Sequence, residues 1–502
     1  MTELLSNLAL GLSVAVTPEN LLFCFVGCLL GTLIGVLPGI GPLATFAMLL
    51  PITYYLPPAG ALIMLAGVYY GAQYGGSTTA ILVNIPGEAS SVVTCLDGHA
   101  MTRQGRAGVA LATAAVASLI AGCIATLVIV LAGPPLSRLA LLFGPADYVA
   151  VMLLGLVAAV LLGSGSILKS AGMVVLGVLL SLVGTDVNTG GERYTFGIPE
   201  LAAGLEFIPV AMGIFGVAEI VSNLEATKGR GRTVSPISSL IPSREDVRRG
   251  LPAALRGTGL GSFLGILPGG GATVSSFASY SLERKISKSP ERFGRGAIEG
   301  VAGPEAANNA GAQTSFIPML SLGIPPNALM ALMMGAMMIQ GITPGPQVMT
   351  AQPALFWGLI VSMWIGNLML VILNLPLIGI WVRLLRIPYG YLFPAIMLLC
   401  IVGTYSVNAR ALDVQLLAIF GVIGYLFFKL DCPPAPLLLG LVLGSPIEEQ
   451  LRRALLLADG DWSVFVTSPI ALSFLVLSAV MLVLVVFPTV RKSRDVAFAE
   501  EQ

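Results

Sequence analysis

Ser77, Thr78 and Thr79, followed by Asn84, and Asn308, Asn309, Gln313, Thr314 and Ser315, followed by Asn327, are neutral polar residues inside two long stretches, 20–87 and 306–382, that contain no charged side chain. Hydroxyls and amides offer hydrogen bonds to carboxylate oxygens, and they offer a sodium ion several oxygen ligands without a full countercharge. The plainer reading of any one of them is helix packing, because Ser, Thr and Gly line close helix contacts in membranes. Glu88, Asp97 and Glu305 stand at the edges of these clusters. An ionisable group near membrane depth is a functional candidate, here for a coupling cation, against the alternative of a carboxylate in a surface loop. The expected cation ligands are Thr78, Asn84, Glu88, Glu305, Asn309 and Asn327.

Two further segments carry chemistry in the backbone. In Leu37-Pro38-Gly39-Ile40-Gly41-Pro42 and Leu267-Pro268-Gly269-Gly270-Gly271 a proline without an N–H and glycines with free φ stop a helix. The unpaired N–H groups of the next helix can then hold an anion; a simple kink is the alternative. The run Gly31 to Gly41 recurs as Gly261 to Gly271 at a constant offset of 230 residues. Each copy is followed by a small polar cluster and an Ile-Pro: Gly75 to Thr79 with Ile85-Pro86, and Gly311 to Ser315 with Ile324-Pro325. This is the pattern of an ancient duplication, and Gly/Pro-interrupted segments at matching positions point to a binding site between repeats. An anionic substrate is therefore expected between Pro38, Gly39 and Gly41 on one side and Pro268, Gly269, Gly270 and Gly271 on the other. Gly35, one turn below the first tip, is expected to tolerate alanine better than the tips do.

Other chemistries fail on inspection. Gly163 to Ser170 resembles a phosphate loop only superficially, since Leu168 stands where glycine is needed, and no Gly-x-Ser-x-Gly elbow occurs. One histidine, His99, and six scattered cysteines exclude a dinuclear metal centre and argue against a disulfide framework; Cys24 and Cys28 read as packing residues on one helix face. No cofactor is expected beyond Na+ or H+ as coupling ion. Lys plus Arg equals Asp plus Glu at 26 each, which leaves no positive excess for a nucleic acid.

The elements that position these residues must lie in a bilayer. The chain has 502 residues, 56% hydrophobic and 10% charged, against roughly 25% charged in a soluble protein. Further apolar runs at 106–132, 145–163, 201–222, 354–382, 391–407, 412–428 and 465–487 approach the ~20 residues that cross a membrane, giving about ten to thirteen segments. The segment before the first run holds Glu3 and no base, so no signal peptide is expected. Basic residues cluster at 224–256, at 283–299, and at Arg491, Lys492 and Arg494, and the positive-inside rule assigns these stretches to the cytoplasm. Between the first two lies only 257–282, two arms of about ten residues each, which predicts a hairpin entering and leaving on one side. Such a tip is tolerable only beside protein or a polar cavity. The expected fold is an all-α polytopic membrane protein of two repeats, inverted if an odd number of crossings separates them, with re-entrant hairpins and broken helices. The units are 1–230, 231–430 and a C-terminal set of helices and tail, 431–502.

The duplicated Leu-Pro-Gly segments, Tyr70-Gly71-Ala72-Gln73-Tyr74-Gly75-Gly76-Ser77, Gly303-Pro304-Glu305-Ala306-Ala307-Asn308-Asn309-Ala310 and Thr343-Pro344-Gly345-Pro346 occur in this order. Together they closely resemble the large membrane subunit of tripartite tricarboxylate transporters, over essentially the whole chain. The resemblance implies cation-driven secondary transport of citrate-like di- and tricarboxylates across a bacterial inner membrane. It also implies two partners, a small membrane subunit and a periplasmic solute-binding protein. The site carries over to the two Leu-Pro-Gly tips, the Gly-Gly-Ser-Thr-Thr stretch and the stretch from Asn308 to Ser315. A polytopic enzyme acting on a lipid-linked substrate would also place polar residues in broken helices, but it needs a nucleophile, metal ligands or an acid/base pair at one depth. A pure scaffold is the third class.

Overall fold

The computed structural model describes residues 2–37, 41–162, 166–186, 189–226, 239–267, 271–384 and 389–486. These residues are almost all helical; the only strands among them are Gly184–Thr185 and Glu192–Arg193, paired antiparallel. Among the described residues four helices are long and apolar enough to cross a membrane, Pro18–Val36, Ala107–Ala140, Pro353–Asn374 and Ala411–Lys429, and eight shorter apolar helices accompany them. Their outward faces are aliphatic, as at Ile419 and Val422 on one helix and Val476 and Val480 on another, which suits contact with lipid tails.

The two most enclosed helices are neither. Pro58–Val83 is buried from Gly60 to Leu82, and Glu299–Thr314 is buried from Gly300 to Thr314. Both are rich in small and polar residues, so they sit at the centre and leave the aliphatic helices to meet lipid. Each is clasped by the helix that leads into a Leu-Pro-Gly tip. Gly27, Gly31 and Gly35 of Pro18–Val36 lie against the carbonyls of Met64, Val68 and Ala72. Gly257, Gly261 and Gly265 of Arg244–Ile266 lie in the same way against those of Gly303, Ala307 and Gly311. A Cβ at any of the six would collide with a backbone oxygen, so only glycine allows the approach. Gly35 is therefore not the tolerant position that its distance from the tip implies. The offset of 230 residues in the sequence is thus a repeated packing device in space.

The arms of the second hairpin are longer than ten residues. Arg244–Ile266 has 23 and Gly271–Ile286 has 16. Charged residues mark a solvated face and do not end a helix; what starts the first arm is a capping box, in which Ser243 and Asp246 exchange hydrogen bonds. Arg256 and Glu283 join the two arms through a two-pronged pair at 2.7 and 2.6 Å, with Glu283 only 2% exposed. The first hairpin pairs Pro18–Val36 with Pro42–Tyr54.

Candidate functional site

The two central helical segments end alike. Asn84 (φ 57°) stops Pro58–Val83 and Gly323 (φ 70°) stops Phe316–Leu322, the short helix that follows Glu299–Thr314, both in the left-handed conformation, and each is followed by Ile-Pro. These stops are 239 residues apart, and the register continues. Glu88 and Asn327, again 239 apart, have φ −152° with ψ 164° and φ −152° with ψ 171°. Glu88 caps the turn Ala89–Ser91, while Asn327 caps Ala328–Ile339 by accepting the Met330 N–H at 3.0 Å. Each is reached from the other half: Asn308 donates to Glu88 Oε1 at 3.3 Å, and the Asn327 side chain faces the Tyr69 hydroxyl. Tyr69 and Asn308 are themselves 239 apart.

Beside this exchange Glu305, 1% exposed, accepts a hydroxyl on each carboxylate oxygen, from Ser77 at 2.7 Å and from Thr94. Asn309 donates to Ser118 at 2.7 Å and to the Glu305 carbonyl at 3.1 Å. Thr126 donates to Gln313 Oε1 at 2.8 Å. Ala107–Ala140 is thus stitched to Glu299–Thr314 by polar contacts. The Thr78, Thr79 and Thr314 hydroxyls donate to carbonyls of their own helices, and Ser315 donates to the Gly265 and Gly311 carbonyls. Buried acceptor oxygens of Asn308 and Asn309, and the Gln313 amide nitrogen, have no partner.

The structure therefore gathers Ser77, Thr78, Glu88, Glu305, Asn308 and Asn309 around the two central helices, with Asn327 linked to Ser315 at 3.3 Å. Asn84 is exposed and serves as a helix stop. Asp97 is fully buried, not a loop carboxylate at the surface. It accepts the N–H groups of Gly296 and Ala297, both at 2.7 Å, and the Tyr280 hydroxyl at 3.0 Å, which latches the loop before Glu299. Pro38, Gly39, Pro268, Gly269 and Gly270 lie outside the described residues. Of the tips, Gly41 donates its N–H to Glu219 Oε1 at 2.5 Å, so a protein carboxylate sits at the start of Pro42–Tyr54. Gly271 has φ 50° and lies against Asn327.

Sequence reasoning missed Thr94, Glu219 and Asn374. Asn374, inside the uncharged stretch, is the last residue of Pro353–Asn374, and its amide donates to Thr32 at 3.3 Å and to the Leu370 carbonyl at 2.9 Å. Its place among the uncharged residues was the available signal. Thr94 and Glu219 reach the region only through tertiary contacts. The described residues hold no group of three or more His, Cys, Asp and Glu able to bind a metal ion.

Comparison with known proteins gives the family. Residues 21–439 match the model of the family described as "Tripartite tricarboxylate transporter TctA family". A protein of Agrobacterium vitis, "Uncharacterized 52.8 kDa protein in TAR-I ttuC' 3'region", is 58% identical over 501 residues and covers 100% of both chains. A second from the same organism, "Uncharacterized protein in TAR-II ttuC' 3'region", is 59% identical over 241 residues, 48% of this chain and 100% of its own. No solved structure matches it. With a family match over residues 21–439 and a relative 58% identical over its full length, the chain belongs to the tripartite tricarboxylate transporter TctA family.

Proposed function

We propose that the chain is the large permease subunit of a secondary transporter that takes up citrate-like di- and tricarboxylates across a bacterial inner membrane, driven by Na+ or H+. A small membrane subunit and a periplasmic solute-binding protein complete it. The observation that carries this reading is the meeting of the two polar clusters, in which Asn308 donates to Glu88 at 3.3 Å and Ser77 donates to Glu305 at 2.7 Å.

The orientation of the two repeats is read from charge. Positions 230 apart carry Arg249, Arg284 and Lys285 in the second copy but Glu19, Tyr54 and Tyr55 in the first. The positive-inside rule draws the ends of the second copy to the cytoplasm and leaves those of the first to the other side. That difference favours an axis in the membrane plane, hence inverted repeats with the substrate at the midplane. Between 20 and 87 and between 306 and 382 there is no Lys or Arg, so the positive potential for a carboxylate comes from helix N-termini and amide donors.

The test is uptake of labelled di- and tricarboxylates into proteoliposomes holding both membrane subunits, with and without the capture protein and an imposed cation gradient. Gradient-dependent uptake that requires the capture protein is expected. Full-rate uptake at micromolar substrate by this chain alone would overturn the tripartite reading.

A further inference from the structure

Glu305 is an acceptor on both carboxylate oxygens and is buried, yet no Lys or Arg among the described residues pairs with it. A negative charge held without a counterion inside a membrane protein is costly and calls for a cation. Next to it lies a cavity of about 10 Å³, room for one water-sized body. Its polar wall is formed by Tyr74, Ser77, Thr78, Ser118, Glu305 and Asn374.

Asn374 supplies an independent pointer to a ligand. It is 4% exposed, both its donor contacts are made by Nδ2, and its Oδ1 has no partner. The Ser77 and Thr78 hydroxyl protons are already donated, to Glu305 and to the Tyr74 carbonyl, which leaves their oxygen lone pairs free. The amide of Asn309 fixes the Ser118 oxygen at 2.7 Å.

We propose that this cavity binds one monovalent cation of sodium size, with Glu305 as its charge partner and Ser77, Thr78, Ser118 and Asn374 as neutral oxygen ligands. A single carboxylate balances one positive charge, whereas calcium sites gather several carboxylates and magnesium requires near-octahedral geometry. The walls come from Pro58–Val83, Ala107–Ala140, Glu299–Thr314 and Pro353–Asn374, so an ion here ties both central helices to two membrane-crossing ones. The site rests on the cation-driven reading above and gives it a location.

The experiment is equilibrium binding of radioactive Na+ to the purified full chain in detergent, with choline holding ionic strength and K+ as competitor. Saturable Na+ binding is expected, with K+ a weak competitor, and with Glu305→Gln and Asn374→Ala each raising the dissociation constant tenfold or more. Asn374→Asp keeps an oxygen at the same position and is expected to lose less than Asn374→Ala; it also decides the matter if Glu305→Gln does not fold. Undiminished binding in both Glu305→Gln and Asn374→Ala overturns the site. Absence of Na+ binding in a wild-type chain that still takes up carboxylate on a proton gradient overturns the site and leaves the permease reading standing. Na+ binding that depends on Glu305 and Asn374, without carboxylate uptake in the complete system, supports the site and removes the carboxylate reading.

Discussion

Glu88 and Asn327 share one backbone conformation at positions 239 residues apart, and Glu88 accepts a hydrogen bond from Asn308 of the opposite half. One is an acid and the other an amide, so the duplicated frame has acquired different chemistry on its two sides. Asn308→Ala removes a donor to a carboxylate, worth about 1.5–3 kcal/mol. It is expected to lower uptake roughly ten- to a hundredfold while membrane insertion is unchanged. Tyr69→Phe removes a neutral hydroxyl and is expected to cost tenfold or less. Wild-type uptake in both variants would reduce the exchange to packing.

The glycine contacts contain their own control. Gly261 lies against the Ala307 carbonyl, whereas Gly259 of the same helix has open space around it. Gly261→Ala is expected to lower the melting temperature of the detergent-solubilised protein by several degrees, and Gly35→Ala to do the same. Gly259→Ala is expected to be neutral or stabilising by up to about 1 kcal/mol, because alanine is the better helix former. Thermal unfolding followed by circular dichroism separates them, and equal melting temperatures for Gly261→Ala and Gly259→Ala would remove the close approach.

At Gly271 the positive φ of 50° penalises any side chain with a Cβ, by about 1–2 kcal/mol. Asparagine tolerates that conformation better than a branched residue. Gly271→Val is therefore expected to reduce both stability and substrate affinity, with Gly271→Asn intermediate. If valine and asparagine behave alike in unfolding and in uptake, the left-handed start of this helix does not matter.

Inverted repeats place equivalent ends on opposite sides. Tyr55 and Lys285 are 230 residues apart and both exposed. Single cysteines at these positions, on a background with the native cysteines replaced, are expected to react with an impermeant reagent from opposite faces: position 285 from the cytoplasm, position 55 from outside. Labelling of both from one face would make the repeats parallel.

Much of this fold was legible in the sequence because its signals are local. Apolar runs became helices, and the duplicated runs Gly31 to Gly41 and Gly261 to Gly271 became two matching helix contacts, whereas Asn84, expected as a cation ligand, is a helix stop. Prolines were less reliable punctuation: Pro134, Pro135, Pro252 and Pro304 lie within helices, where surrounding packing compensates for the missing N–H. The site was legible only where it falls on the repeats. Thr94, Asn374 and Glu219 are brought to it by segments outside the matched motifs, and no spacing along the chain encodes such meetings.

Arg244–Ile266 and Gly271–Ile286 carry Arg244, Arg248, Arg249, Arg256, Arg284 and Lys285 and many serines and glycines, so they are poor candidates to leave the translocation channel for lipid by themselves. Their glycine face fits Glu299–Thr314, which has not yet been synthesised when they emerge. Insertion of these two helices is thus expected to be completed only when their companion from the C-terminal side has been made. In the first half Pro18–Val36 is apolar enough to enter lipid unaided, and the order is reversed. Nascent chains arrested shortly after residue 286 are expected to hold the second hairpin against the channel and to release it once the chain has extended past residue 314.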